Sequence, residues 1–296
     1  MKPSSKLVFF GTEDFSLPSL QALIEAGYNV VAVVTKPDTQ RGRSNKLIQP
    51  VVKTYASSNN IPVFQPNRLS DIEHELTELH ANAAVLVSYG KLLPQRTLNV
   101  FSPLGIINLH PSLLPRYRGP APIEAAIVNG DSETGISIMR LTAGMDEGPV
   151  YTQELYTLHG TEAKPELTKT LALMGAELLV SVLPDILSGK LQPIPQQNTG
   201  VSYTTLLSKK NGILDPSTDD ANAIERKVRA YLNYPKTRLT LDKNDVIITS
   251  VNVVESLADY PLTIECKDKT YLALTQVTAP SGKSMSGEAY LHGYTT

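Results

Sequence analysis

The sequence predicts an α/β fold: a largely parallel sheet with helical crossovers over the first two thirds of the chain, then a smaller antiparallel β unit. Three observations predict it. Short runs of β-forming apolar residues (Leu7 to Phe10, Val30 to Val34, Ala83 to Val87, Ile106 to Leu109, Ile136 to Met139) alternate with helical patterns. The stretch GKLQPIPQQNTG then breaks the rhythm with prolines, glycines and no acidic residue, the composition of a connector. Beyond it, β-rich runs follow one another (Arg238 to Leu241, Val246 to Val254, Leu262 to Cys266, Thr270 to Val277), separated by Asp, Asn, Pro and Gly.

The crossover helices have recognisable starts. Pro18 opens one that runs to Ala26, because proline is tolerated in a first helical turn. Ser70 and Glu73 form the pattern of a capping box in front of a helix over Asp71 to Leu79. From Thr161 a longer helix places Leu167, Leu171, Met174, Leu178 and Val182 on one stripe, with Gly189 as its C-terminal cap. A further helix is expected over Ala221 to Tyr231. These assignments give a first domain over residues 1–188, a connector over 189–208 and a β-rich second domain over 209–296.

With 296 residues and 41% apolar content the chain has material for two cores. The apolar run near the start ends at Gly11, unlike a signal peptide, and no later stretch reads as a membrane span, so a cytoplasmic location is expected. The single cysteine, Cys266, excludes an internal disulfide and reads as a small buried hydrophobe. A formal charge of −2 provides no global attraction to a polyanion, so any nucleic-acid contact must come from local cationic clusters. His74, His80, His159 and His292 lack the spacing of metal ligands and read as solvated; no metal is expected. Gly11 alone, between a strand and a helix, falls short of a dinucleotide fingerprint and reads as a structural turn.

The segment GIINLHPSLLPRYRGPAP carries the chemistry. Asn108 and His110 are two apart on an expected strand, so both project from one face, and Pro111 stops the ladder directly after them. An amide donor beside an imidazole at the carboxyl end of a strand suits acyl chemistry: the amide stabilises an oxyanion and the imidazole handles protons. Asp146, between Gly144 and Gly148 in TAGMDEGP, is the candidate third member. An ionised carboxylate set against the ring orients it and favours its protonated form.

NLHPSLLPRYRGPAP followed by MDEG resembles the signature of the folate-dependent formyltransferases. FFGTEDFSLPSLQAL, VVTKPDTQRGRSNKLIQPVVKTYA, LVSYGKLLP, GDSETGISIMRLTAGMDEGPVY and SYTTLLSKKNGILD resemble the tRNA-formylating branch of that family in order and spacing, over most of the chain. The resemblance implies a Rossmann-like catalytic domain followed by an OB-like β-barrel. It assigns Asn108, His110 and Asp146 to the catalytic triad. Folate contacts fall to Ser112, Leu113, Leu114 and Pro115, with Tyr89, Gly90, Lys91, Leu92 and Leu93 lining the pterin pocket. The implied reaction moves the formyl group of the co-substrate 10-formyltetrahydrofolate to the α-amino group of methionyl initiator tRNA, with a monomer as the expected state.

Lys36, Arg41, Arg43 and Lys46 stand in a glycine- and proline-flanked stretch expected as a mobile loop, where cations can grip acceptor-stem phosphates. Lys209 and Lys210 supply a second cationic point in a domain whose charges, these two included, balance to zero. Two other readings use the same scaffold. One is a formyltransferase for a small amine, such as an amino sugar nucleotide or glycinamide ribonucleotide; the other is a noncatalytic RNA- or folate-binding module. The basic loop and SYTTLLSKKNGILD speak against the first, the intact Asn-His-Asp set against the second.

Overall fold

The computed structural model describes residues 5–41 and 46–294. They group into two compact units, one of residues 5–41, 46–120, 134–156 and 168–203, the other of residues 121–133, 157–167 and 204–294.

The first unit is built on seven strands: β1 (Lys6–Gly11), β2 (Asn29–Val34), β5 (Val63–Phe64), β6 (Ala83–Val87), β7 (Ile106–His110), β8 (Glu133–Arg140) and β9 (Val150–Thr157). They lie in the order β5-β2-β1-β6-β7-β8-β9. The pairs β2 with β5, β1 with β2, β1 with β6 and β6 with β7 are parallel, and β8 runs antiparallel to β7. The expected Rossmann-like parallel sheet is therefore present, with its direction reversed past β7. On β1, Leu7, Val8, Phe9 and Phe10 are all fully buried, as strands covered on both faces require.

Helices α1 (Leu17–Glu25), α2 (Val51–Ser58), α3 (Glu73–Glu78) and α4 (Gln95–Val100) lie between these strands in the chain. One core gathers Val8, Phe10, Ala32, Val34, Leu76, Ala84, Leu98 and Ile106 beneath α3 and α4. The expected Ser70/Glu73 capping box does not form. Asp71 Oδ2 accepts the Arg68 N–H at 3.1 Å and Asp71 Oδ1 draws the Ser70 hydroxyl at 3.3 Å, so the first turn is a tighter 3₁₀ turn and α3 starts at Glu73.

Within the stretch expected as a loop, β3 (Thr39–Arg41) and β4 (Lys46–Ile48) pair as an antiparallel ribbon. Cross-strand hydrogen bonding orders both flanks. Arg43 and the side chains of Arg41 and Lys46 lie outside the described residues.

Helix α5 is Pro122–Asn129 and α6 is Lys164–Leu187. By length and composition α6, with 24 residues and a mean hydropathy of 1.7 over its most apolar window, is apolar enough to cross a membrane, contrary to the expectation that no stretch reads as a span. Its buried stripe is Leu167, Leu171, Gly175, Leu179, Leu183 and Ile186, one residue off the expected stripe beyond Leu171. Gly175 explains the shift: a Cβ there would stand 2.7 Å from Leu109 Cδ1, so the helix comes closest to β7 at a residue that hydrophobic periodicity does not count. Gly189 follows the helix with φ of 76°, as its expected capping role requires.

The second unit contains α7 (Ala221–Ala230), capped where the Asp220 side chain accepts the Ala223 N–H at 2.8 Å. Its strands are β10 (Thr237–Leu241), β11 (Asn244–Val254), β12 (Thr263–Cys266), β13 (Thr270–Thr278) and β14 (Ser284–Ser286), followed by α8 (Gly287–Tyr294). The sheet is antiparallel in the order β10-β11-β13-β12, with β14 also on β13. Register shifts on β11 near Ser250 let the long strand bend, as curling of a small β unit requires. Ile224, Val228, Ile248, Leu272, Leu274 and Tyr290 form its core. Cys266 lies in the same core, and burial pushes its thiol up to about 11, consistent with an inert apolar residue.

Candidate active site

Asn108 and His110 lie on the same side of β7 by strand alternation, opposite Leu109 and α6, and each is only 5% exposed. The Asn108 carboxamide is not one of the fully enclosed polar groups without a partner, so although its residue is buried the amide keeps some access to solvent.

Both nitrogens of His110 face acceptors. Nε2 is 3.0 Å from the Tyr117 carbonyl oxygen, so this nitrogen carries a proton if the contact is a hydrogen bond. Nδ1 stands 3.7 Å from Asp146 Oδ2, an electrostatic distance just beyond a hydrogen bond.

Asp146 adopts φ of 50°, in the left-handed region. Its Oδ2 accepts the Gly119 N–H at 2.8 Å, which aims the carboxylate at the His110 side of the turn. The neighbouring glycine does something other than lend flexibility: a Cβ on Gly148 would run into the carbonyl oxygen of Arg140, so glycine lets β9 turn back closely on β8.

The Ser112 to Pro115 loop leaves β7 directly after His110. It is pinned by residues that sequence reasoning missed. The Ser137 hydroxyl donates to Ser112 O at 2.6 Å and accepts the Leu114 N–H at 3.0 Å, while Gln153 Nε2 donates to Leu114 O at 2.9 Å and to Ser137 Oγ at 2.8 Å. The available signal was a lone polar residue within the apolar run Ile136 to Met139: Ser137 pairs with His110 across β7 and β8. The Ser112 hydroxyl is already committed to Arg116 O at 2.7 Å.

The Tyr89 to Leu93 segment leaves β6, whose register Val87 to Leu109 carries it alongside His110 at the same sheet edge. The Thr12 hydroxyl donates to Tyr89 O at 3.1 Å, fastening the segment to the end of β1. Tyr89 is fully buried, its hydroxyl has no partner among the described residues, and burial pushes its pKa up to about 12. Gly90 has φ of 70°, Lys91 Nζ donates to the carbonyls of Pro66 and Asn67 at 3.0 Å each, and Leu92 is 81% exposed. In the second unit Lys209 and Lys210 are exposed. His74, His80, His159 and His292 are exposed as expected, and no group of potential metal ligands occurs among the described residues.

Such a Rossmann-like sheet, with Asn108 and His110 near the end of β7 and Asp146 facing His110, is that of a formyl transferase. The formyl transferase family model matches residues 5–183, and the model for the C-terminal domain of formyl transferases matches residues 206–295. The chain is 37% identical to the methionyl-tRNA formyltransferase of Chloroflexus aurantiacus, covering 97% of this chain and 96% of that one. It is 41% identical to that of Halorhodospira halophila, covering 82% and 78%. Among solved structures, the N-formyltransferase from Helicobacter canadensis, in complex with folinic acid and dTDP-3-aminofucose, superposes with a TM-score of 0.70 at 19% identity, covering 90% and 98%. The chain belongs to the methionyl-tRNA formyltransferase family.

Proposed function

We propose that Asn108, His110 and Asp146 carry the transfer of a formyl group from 10-formyltetrahydrofolate to the α-amino group of methionyl initiator tRNA. The observation that carries the catalytic assignment is the meeting of two chain segments, the end of β7 with buried Asn108 and His110 and the turn with Asp146, where His110 Nδ1 stands 3.7 Å from Asp146. As the amine adds to the formyl carbon, negative charge builds on the formyl oxygen, and the Asn108 N–H groups stabilise it. Because Nε2 faces the Tyr117 carbonyl, Nδ1 is the ring nitrogen whose proton is offered to the reacting centre, with Asp146 sustaining the cationic ring. The ring proton passes to the departing folate nitrogen as its bond to the formyl carbon breaks, and the proton lost by the attacking amine nitrogen returns to the ring, so the formylated amine and the folate leave with His110 restored. Acid-base help of about 10² to 10⁴-fold and a comparable oxyanion contribution are the scale expected of such groups.

The folate co-substrate fits residues that have no other evident use. Leu92 is an exposed large apolar side chain, Leu113 to Pro115 are held in a fixed backbone, and both segments leave adjacent parallel strands. Residues 1–188 would form the catalytic domain, 189–208 the connector and 209–296 a tRNA-binding domain. In that last domain exposed Lys209 and Lys210 accompany Tyr234, which is 53% exposed, and Lys236. Gly212 packs against the backbone of Lys236, which brings the two lysine-bearing segments together as a cation and aromatic patch suited to a nucleic acid backbone. Arg41, Arg43 and Lys46 would grip the acceptor end. The protein would act as a cytoplasmic monomer.

The test supplies 10-formyltetrahydrofolate with methionyl initiator tRNA, methionyl elongator tRNA, an amino sugar nucleotide and glycinamide ribonucleotide in parallel. Formylation of the initiator tRNA is expected; preferential formylation of a small amine would overturn the reading.

A further inference from the structure

We infer that Gln196 is a positioning residue that holds Asp146 in its working geometry, and that through Asp146 it sets the rate of proton transfer at His110. The inference rests on the catalytic reading of Asp146 given above.

Gln196 lies beyond α6, in the proline- and glutamine-rich stretch that reads from sequence as a connector. Its carboxamide is fully used. Nε2 donates to Asp146 O at 2.7 Å and to Gly148 O at 2.8 Å, so one amide grips the carboxylate-bearing turn at two carbonyls. Oε1 accepts from Arg118 Nε at 3.1 Å and Nη2 at 2.9 Å. Two N–H groups and two lone pairs are all that a carboxamide has.

Arg118 belongs to the loop that follows His110 and is only 8% exposed. Its Nη1 donates to the Tyr203 hydroxyl at 2.8 Å, and that hydroxyl donates to Glu147 Oε1 at 2.7 Å. One glutamine therefore links the segment leaving β7 to the turn leaving β8, the two segments whose separation fixes the His110 to Asp146 distance. The segment carrying it is itself anchored, since Ile194 and Val150 exchange backbone hydrogen bonds at 2.8 Å each.

Asp146 needs such a clamp. A non-glycine residue in the left-handed region is held there by its surroundings, and here the carbonyls of residues 146 and 148 are the points of attachment. The chemistry also specifies the amide. A glutamate at position 196 keeps an acceptor for Arg118 but turns a carboxylate oxygen toward two carbonyl oxygens, which repels the turn. A leucine removes both halves of the clamp.

The experiment measures kcat and both KM values for Gln196→Glu and Gln196→Leu, alone and combined with Asp146→Asn, with urea unfolding of each variant. Displacing a reacting group by about 1 Å costs about 10²-fold. The expected result is a fall in kcat of that order in the otherwise wild-type chain, with both KM values held within about threefold. In the Asp146→Asn background the same substitutions should cost less than about twofold, because the group they position is already inert. Folded Gln196→Glu protein with kcat near wild type would overturn the inference, as would an undiminished loss in the Asp146→Asn background. Near wild-type turnover of Asp146→Asn alone would instead overturn the catalytic reading beneath it.

Discussion

Nδ1 of His110 stands 3.7 Å from Oδ2 of Asp146, while that same oxygen accepts the Gly119 N–H at 2.8 Å. The carboxylate is thus anchored by backbone and only faces the ring. Carboxylate and ring are therefore close enough for electrostatic contact yet not joined by a hydrogen bond.

This arrangement makes Asp146→Asn informative. The amide oxygen can still accept from Gly119, so the turn survives while the charge is lost. A fall in kcat of about 10² to 10⁴-fold is expected, with similar losses for Asn108→Ala and His110→Ala. Single-turnover formylation assays check this; wild-type rates in all three would refute the triad.

Ser137 is fully buried and holds the Leu114 N–H. Ser137→Ala leaves that donor without its partner at a cost of about 1 to 3 kcal/mol, readable as a lower urea midpoint. The KM for the folate should rise more than that for tRNA. A rise confined to tRNA would mean that the loop serves another ligand.

Gly148→Ala should be worse than its size suggests, because the new Cβ meets the Arg140 carbonyl oxygen, and backbone cannot step aside as a side chain can. Overpacking of this kind costs about 1 to 3 kcal/mol. Stability and kcat are expected to fall together, since the Asp146 turn moves with residue 148. Unchanged thermal unfolding would contradict the close approach.

Asp38 sits at the foot of the β3 and β4 ribbon. Gln65 Nε2 and Lys53 Nζ each reach its carboxylate at 2.7 Å. Those bonds, the one from Gln65 foremost, hold its carboxyl below the ordinary range. A folded value below the unfolded one means stability that is complete above the unfolded carboxylate value and is lost as pH falls through the folded value. Asp38→Asn should therefore be less stable than wild type at neutral pH, with the gap closing on acidification. A gap independent of pH would remove the charge from the explanation. If the ribbon presents Arg41 and Arg43 to the acceptor stem, the variant also raises KM for tRNA.

Arg41→Ala with Arg43→Ala, and separately Lys209→Ala with Lys210→Ala, should raise KM for tRNA and flatten its dependence on salt, by a slope of about 0.7 to 0.9 for each phosphate no longer neutralised. Equal loss with a small amine acceptor would exclude a role in gripping RNA.

The sequence by itself made legible five strands of the first sheet, four of the second and helices α1, α3, α6 and α7, while β3, β4, β5, β9, β14, α2, α4, α5 and α8 went unread. Period-2 apolar runs are local, so β1, β2, β6, β7 and β8 were legible, and Asn108 and His110 shared a face by alternation alone. Hydrophobic periodicity failed on α6 because the decisive contact is made by Gly175, where a missing side chain does the packing. The 3₁₀ turn before α3 escaped because Asp71, rather than Glu73, bonds back to the start of the turn, at the Arg68 N–H and the Ser70 hydroxyl. Only the tertiary structure decided that Asp146 faces His110, that Ser137 and Gln153 pin the loop after β7, and that a glutamine in an apparent connector grips the turn carrying Asp146. Those are contacts between segments far apart in the chain, between polar groups whose partners no local pattern specifies. A carboxamide reads as solvated in sequence and as structural only once four partners surround it.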